Sequence, residues 1–285
     1  MCVGAAHSFD VVKRLQRARS ARGYANVAPH FRSRGPEYID PDKIHLFLIV
    51  GGQIAVCKVD QINYLENYDV AVFTVRAPTD GPKLTSQVAM DLGTPFVGEE
   101  VAVIAHHLTV SDLSVEAESS RGVVTRNLDL RLGVVNEVQM GPSPLPGQSF
   151  VFRTTIPVTP GMSGAPVATK PVPGGPLTIR GVVSSDASED AAFHSFHTAG
   201  RSTMSMLWPV MGLGLNVVVP PSPSRFAFLG ELLAVGVFDS RSDRVSVTVG
   251  QPSDMLEVSY TDERVAPPTR VLLSTTGHPF AKPTK

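Results

Sequence analysis

Short segments rich in Val, Ile, Leu and Phe, separated by Gly, Pro and polar residues, recur through most of this 285-residue chain. Runs of this length and composition are typical of β-strands. Many short strands at such spacing indicate a barrel or a sandwich, and the strand–helix alternation of an α/β protein is not apparent. We therefore predict an all-β fold, with candidate strands at residues 44–50, 54–59, 69–75, 100–106, 122–125, 132–138, 149–155, 165–169 and 177–184.

The composition is that of a globular protein and suggests no charged partner. Hydrophobic residues make up 42% of the chain, and 25 basic against 26 acidic residues leave a formal net charge of -1. This balance gives no reason to expect nucleic acid or a membrane surface as a partner. There is no apolar run of about 18 residues and no secretory signal, so the expected location is cytoplasmic by default. The two cysteines form no zinc-binding pattern, and we expect no cofactor.

A glycine-rich turn at residues 159–167 contains a candidate nucleophile. It reads Thr-Pro-Gly-Met-Ser-Gly-Ala-Pro-Val, which would hold the hydroxyl of Ser163 on a tight bend. Gly161 has no side chain, so its N–H can approach a bound carbonyl and, with the N–H of Ser163, form a two-donor oxyanion hole. The alternative is an ordinary turn with an unreactive serine, because short motifs recur by chance.

A nucleophilic serine needs an imidazole to accept its proton and a carboxylate to orient that imidazole. Asp69 opens an apolar strand, where a carboxylate is costly unless it is hydrogen-bonded. The alternative is a solvated aspartate at the start of a strand. Two histidines are candidates for the base: His7 lies 62 residues before Asp69, and His30 lies 39 residues before it.

In the order His, Asp, Ser, these elements resemble the trypsin/chymotrypsin-like serine proteases. The resemblance rests on the Ala-Ala-His sequence ending at His7, the strand that follows Asp69 and the Gly-x-Ser-Gly turn around Ser163. It implies a serine endopeptidase that hydrolyses a peptide or protein substrate through an acyl-enzyme. The triad would be His7, Asp69 and Ser163, and the oxyanion hole would be formed by Gly161 and Ser163.

The resemblance also implies two antiparallel β-barrels of the six-stranded type, at about residues 1–97 and 98–219. In that family two strands precede the histidine, so the choice of His7 predicts either an N-terminally truncated chain or an incomplete first barrel. His30 has the spacing nearer to that of the family, but the residues before it look helical and basic, so His7 is preferred. The competing function is a non-catalytic protein of the same fold that binds peptides or a partner protein.

The strand after the nucleophile turn resembles the family's substrate-binding strand. It ends in Gly-Val-Val-Ser-Ser, so Ser184 and Ser185 are predicted substrate contacts, with simple turn serines as the alternative. Substrate backbone would pair with this strand as an added strand. The position six before the nucleophile is Pro157 rather than a carboxylate, so trypsin-like specificity for basic residues is not supported.

The remaining histidines and the C-terminal region carry weaker patterns. His106 and His107 are predicted at a strand end; His194 and His197 have a spacing that suits a metal, but no further ligand pattern accompanies them, so we predict no metal site. A Pro-rich linker at residues 220–224 leads into a predicted extension over residues 220–266, with a helix at 225–238 and a hairpin at 245–249 and 255–260. Residues 267–285 are predicted to form a Pro-rich disordered tail.

Overall fold

The structure confirms an all-β architecture. The computed structural model describes residues 2–9, 45–50, 53–65, 68–76, 88–115, 120–141, 149–159, 161–170, 177–184, 202–217, 225–238, 240, 242–250 and 255–274. His30, Ser185, His194 and His197 lie outside these residues. No helix in the described ranges is long and apolar enough to span a membrane.

The N-terminal part of the chain forms an antiparallel sheet of four strands in the order β1-β4-β3-β2. The strands are β1 (Cys2–Gly4), β2 (His45–Val50), β3 (Gln53–Leu65) and β4 (Val70–Arg76). Val50 pairs with Gln53, so the strands predicted at residues 44–50 and 54–59 form a hairpin. β3 continues beyond the predicted strand through residue 65, because these residues pair with β4.

The second part forms a closed antiparallel barrel of six strands, β6-β7-β8-β11-β10-β9, in which β9 pairs again with β6. The strands are β6 (Glu100–Val115), β7 (Ser120–Gln139), β8 (Val151–Thr154), β9 (Pro166–Thr169), β10 (Thr178–Val183) and β11 (Ser202–Met206). A short strand, β5 (Ala89–Met90), pairs in parallel with β10. All six strands lie within residues 98–219, and the side chains of Val101, Val103, Val167, Val182 and Met204 belong to the hydrophobic core.

The hairpin of β6 and β7 is much longer than the barrel requires. Its pairing runs from Glu100 with Val134 to Val115 with Ser120. The prediction that His106 and His107 sit at a strand end was therefore wrong, because both lie in the middle of β6. The two segments predicted as separate strands at 122–125 and 132–138 are parts of the single strand β7.

The C-terminal region adds a three-stranded antiparallel sheet. It is preceded by a hairpin and one short helix, and the elements in order are β12 (Gly214–Val217), β13 (Arg225–Phe228), α1 (Leu229–Ala234), β14 (Val245–Gly250), β15 (Met255–Asp262) and β16 (Val265–Ser274). The hairpin predicted from alternating residues is confirmed as β14 and β15.

Two predictions about this region were wrong. The helix expected over residues 225–238 is limited to α1, because the residues before it pair with β12. Residues 267–274, expected to belong to a disordered tail, are part of β16. Pro267 and Pro268 fit there because they lie at a register shift, and β16 is an edge strand in the described part of the sheet, where proline is tolerated.

A buried polar network attaches the C-terminal sheet to the loop before β6. The backbone N–H of Thr94 donates to Asp262 Oδ2 at 2.8 Å, and Arg264 Nη2 donates to the Thr94 carbonyl at 2.8 Å. Arg264 also bonds the Asp262 carboxylate, whose side chain is fully buried. The same loop contains Glu99, which accepts from Arg180 on β10 at 2.8 Å. The sheet is thus part of the folded body and not a loosely attached extension.

Acid should weaken this attachment. Burial of the Asp262 carboxyl opposes its ionisation, but hydrogen bonds from Arg264 and from the Thr94 N–H outweigh it and lower the pKa of Asp262 to about 2. A carboxyl with a lowered pKa in the folded state stabilises the fold above about pH 4, and this contribution is lost as the pH falls toward 2. Between about pH 5 and pH 2 we expect wild type to lose on the order of 2 kcal/mol more unfolding free energy than the Asp262→Asn variant.

Urea unfolding of both proteins at intervals across this pH range measures the difference. Glu257→Gln is the matched control, because Glu257 lies on the same strand and faces the exposed Arg270. Equal losses for wild type and the Asp262→Asn variant would contradict the prediction.

Two amide side chains attach the first sheet to the segment after the barrel. Gln61 Nε2 donates to the Asn216 carbonyl at 2.8 Å, and the Asn216 N–H donates to Gln61 Oε1 at 2.7 Å. The Asn63 amide donates to the Gly214 carbonyl two residues away. β3 is thereby held against β12, and this fixes the first sheet beside the barrel, where the two halves meet.

Candidate active site

Asp69 lies at this junction, immediately before β4. Asp69 is 5% exposed, and the three residues that follow it, Val70, Ala71 and Val72, are completely buried. Its carboxylate accepts a hydrogen bond from the hydroxyl of Ser184 at the end of β10. The alternative of a solvated aspartate is therefore wrong. A buried carboxylate requires such donors, because burying an unpaired charge is costly.

The backbone register directs the Ala-Ala-His segment toward Asp69. Val3 pairs with Val72 and Gly4 with Ala71, so the antiparallel course of β1 continues toward Asp69. The next two residues are alanines that are 1% and 2% exposed, and their small side chains allow this close approach. A 3-10 turn at Ala6–Phe9 then begins, and His7 is its second residue. The backbone of the Ala-Ala-His sequence thus leads from β1 toward Asp69.

The segment around Ser163 is the tight turn expected from its glycines. The Met162 N–H donates to the Thr159 carbonyl at 3.1 Å, and the Ala165 N–H donates to the Met162 carbonyl at 2.9 Å. Gly161 has a φ of 92°, a left-handed conformation that a side chain would make costly. The Met162 side chain is buried and anchors the turn, whereas Ser163 is partly exposed.

The nucleophile turn also packs directly on the segment that contains His7. A Cβ atom placed on Gly164 would lie 3.1 Å from the Ala5 nitrogen and 3.6 Å from the Gly4 Cα. On its other side the Gly164 N–H donates to the Val183 carbonyl at 2.8 Å, one residue before Ser184. Since Ser184 bonds Asp69, the turn, the Ala-Ala-His sequence and the buried carboxylate meet at one place.

The two amides predicted to bind an oxyanion have no competing partner in the described part of the chain. Neither the Gly161 N–H nor the Ser163 N–H donates a hydrogen bond there. The hydroxyl of Ser163 makes no hydrogen bond to any described side chain either. Donors left available at the rim of a tight turn suit the stabilisation of a developing negative charge.

Ser184 has a contact that the sequence analysis did not anticipate. It is 1% exposed, its hydroxyl donates to Asp69, and its N–H donates to the Thr203 carbonyl at 3.0 Å. Its side chain is therefore turned to the carboxylate, and the substrate contact predicted at Ser184 stays a prediction. The two residues are 115 positions apart in the chain, and no local pattern connects them.

The described side chains include no cluster of three or more His, Cys, Asp or Glu residues arranged to hold a metal ion.

Comparison with known proteins gives a weak result. No protein-family model and no curated protein matches the chain. Among solved structures, the Rv3671c protease from M. tuberculosis in its active form is 17% identical, with a TM-score of 0.34 over 57% of this chain and 59% of its own. The HtrA-type protease AlgW with a decapeptide is 9% identical, with a TM-score of 0.37 over 81% of this chain and 74% of its own.

The matched region spans less than two thirds of the length of the M. tuberculosis protease. TM-scores in this range do not establish a shared fold. The family resemblance therefore continues to rest on the residues of this chain and on the geometry that brings them together.

Proposed function

We propose that this protein is a serine endopeptidase that hydrolyses peptide bonds in a peptide or protein substrate. The observation that supports this most directly is the meeting of three sequence elements far apart in the chain: the Ala-Ala-His segment, Asp69 and the turn of Ser163. Gly164 packs on the first of them, and Ser184 joins the second to the strand beside the turn. A chance Gly-x-Ser-Gly turn would have no reason to pack on a histidine segment and to bond the residue next to the donor of a buried carboxylate.

In the proposed reaction the Ser163 oxygen attacks the carbonyl carbon of the scissile peptide bond while His7 takes the hydroxyl proton. The resulting oxyanion accepts hydrogen bonds from the N–H groups of Gly161 and Ser163. His7 then gives the proton to the leaving nitrogen as the C–N bond breaks, which leaves an acyl group on Ser163. Water, deprotonated by His7, then attacks the acyl carbon. The bond between that carbon and the Ser163 oxygen breaks, His7 returns the proton to the oxygen, and the second product leaves as a carboxylic acid.

In this reaction Asp69 acts on His7 and not on the substrate. Its charge stabilises the imidazolium that forms, and its hydrogen bond selects the tautomer that can accept a proton from Ser163. The bond from Ser184 holds the carboxylate in place and satisfies one of its oxygens. The non-Gly residue Asp69 has a φ of 48°, so its backbone is held in a rarely adopted conformation by its surroundings.

Labelling with a biotinylated fluorophosphonate tests the proposal. Wild type should be labelled, and peptide mapping should place the adduct on Ser163, because only an activated serine attacks this probe efficiently. A protein that binds peptides but is not labelled would instead be the non-catalytic relative considered above. Labelling of a different serine would contradict the assignment.

The choice between the two histidines makes a separate prediction. His7→Ala should lower the labelling rate by about three orders of magnitude or more, because the hydroxyl loses its base. His30→Ala is the matched control and should leave the rate within about threefold of wild type. Loss of labelling in the His30→Ala variant alone would assign the base to His30.

A further inference from the structure

Four aromatic rings from different parts of the chain form a continuous stack. Tyr260 of the C-terminal sheet stacks on Trp208, with ring centroids 4.6 Å apart. Trp208 and Phe150 form a T-shaped pair with ring centroids 4.7 Å apart, and Phe150 stacks on Tyr68 with centroids 5.6 Å apart. Tyr68 is the residue immediately before Asp69. The stack therefore begins in the C-terminal sheet, passes through the barrel and ends beside the candidate active site.

Three of the four rings are held in place by burial. Tyr260, Trp208 and Phe150 are each 1% exposed, and all three belong to the main hydrophobic core. Trp208 depends on the rings around it, because its indole nitrogen has no hydrogen-bond partner in the described part of the chain. Aromatic pairs at these distances are favourable beyond the area that they bury. Removal of one ring should therefore change the position of the ring packed against it.

The end of the stack near the active site coincides with backbone strain. In the described residues only Asp69 and Phe150 are non-glycine residues with a positive φ, at 48° and 54°. Such conformations persist only where surrounding contacts hold them. Tyr68 stacks on Phe150 and precedes Asp69, so a single ring contact joins the two strained residues.

The other end is fixed by hydrogen bonds. The Tyr260 hydroxyl lies 2.9 Å from the Leu92 carbonyl oxygen and 3.0 Å from the Thr94 hydroxyl. Burial, reinforced by the nearby charge of Asp262, raises the pKa of Tyr260, which keeps its hydroxyl protonated as a donor. The ring of Tyr260 is thereby held in one orientation against Trp208.

We propose that the C-terminal sheet is a positioning element of the active site and that Tyr260 is a positioning residue, acting through Trp208, Phe150 and Tyr68 on Asp69. The inference rests on the proposed function. It assigns the sheet a part in the chemical step, although Tyr260 itself touches no reacting atom. Packed side chains of this kind can transmit a displacement between distant sites, but the coupling has to be measured.

The experiment compares fluorophosphonate inactivation of wild type, Tyr260→Leu, Tyr260→Phe and Val271→Ala. The maximal inactivation rate and the half-saturating probe concentration are determined separately, at a temperature where circular dichroism shows each protein folded. Tyr260→Phe keeps the ring and removes its hydroxyl. Val271→Ala is the control for general loosening, since Val271 is a core residue of the neighbouring strand β16 that belongs to no ring pair.

We expect Tyr260→Leu to lower the maximal rate about ten- to hundredfold, because a small displacement of Asp69 misplaces the base. The half-saturating concentration should stay within about threefold of wild type, since probe binding does not involve Asp69. Tyr260→Phe keeps the ring and loses only the hydrogen bonds that orient it, so its loss should be clearly smaller than that of Tyr260→Leu, and Val271→Ala should keep a rate near that of wild type. If Tyr260→Leu does not fold, Tyr260→Met replaces it under the same criteria, because methionine fills irregular gaps.

The possible failures are distinguishable. Unlabelled wild type overturns the proposed function and this inference together. Labelled wild type with an undiminished maximal rate in folded Tyr260→Leu overturns only the inference. If Tyr260→Phe lowers the maximal rate as much as Tyr260→Leu does, the ring does not carry the effect. If Val271→Ala lowers it as much, the cause is general loosening of the core. Either result also overturns the inference.

Discussion

Ser163→Ala is expected to abolish fluorophosphonate labelling and to lower hydrolysis of denatured casein by about six orders of magnitude. The substitution removes the oxygen that attacks the carbonyl and leaves the turn intact, because the hydrogen bonds of the turn are made by the backbone of neighbouring residues. Any residual hydrolysis would come from the oxyanion donors and from substrate binding, which do not depend on the hydroxyl. The fold should be unchanged, since Ser163 is partly exposed and its side chain bonds no described side chain.

The matched control for this prediction is Ser246→Ala. Ser246 is an exposed serine on β14, and it takes part in none of the contacts of the site. This variant should be labelled and should hydrolyse casein at the wild-type rate. Equal labelling of wild type and Ser163→Ala would show that another serine reacts and would refute the nucleophile assignment.

Much of the barrel was predictable from sequence because its strands are local patterns. The runs at residues 165–169 and 177–184 are separated by a turn rich in Gly and Pro, and β9 and β10 pair as expected. The glycines of the turn around Ser163 likewise predict a tight bend, and Gly161 and Gly164 have positive φ there. In each case the residues that give the sequence pattern lie within a few positions of the residues that form the strand or the turn.

The contacts that complete the site are long-range, and no local pattern encodes them. The bond from Ser184 to Asp69 joins two residues from different halves of the chain. The sequence showed that Asp69 needs a donor but not which residue supplies it. The local pattern also gave a wrong prediction at residues 225–238. Apolar residues at helical spacing predicted a helix there, but the first four of these residues form a strand that pairs with β12. Tertiary context decides such cases against local preference.

The tail is a second example of tertiary context. Two adjacent prolines predicted disorder from residue 267, yet β15 supplies a partner for most of β16. The side chain of Tyr260 on β15 reaches the barrel, so the sheet is attached to the protein core. The C-terminal region is thereby placed where it can influence Asp69, although nothing in its sequence suggests a part in catalysis.

Asp69→Asn is expected to lower the labelling rate and casein hydrolysis by about four orders of magnitude while the protein remains folded. The amide has nearly the same shape as the carboxylate, and its oxygen can still accept the hydrogen bond of Ser184. Its NH₂ group would then face His7 as a donor, so the imidazole would have to accept there. The proton of the neutral imidazole would consequently lie on the nitrogen that should accept from Ser163, and the base would be blocked.

Asp129→Asn is the matched control, because Asp129 is a partly exposed carboxylate on β7 whose partner is Arg131. It should leave the labelling rate within about threefold of wild type. Thermal unfolding of both variants checks that each is folded at the assay temperature. A labelling rate for Asp69→Asn within about tenfold of wild type would show that the buried carboxylate serves the fold and not the base, because loss of an orienting carboxylate costs far more than this.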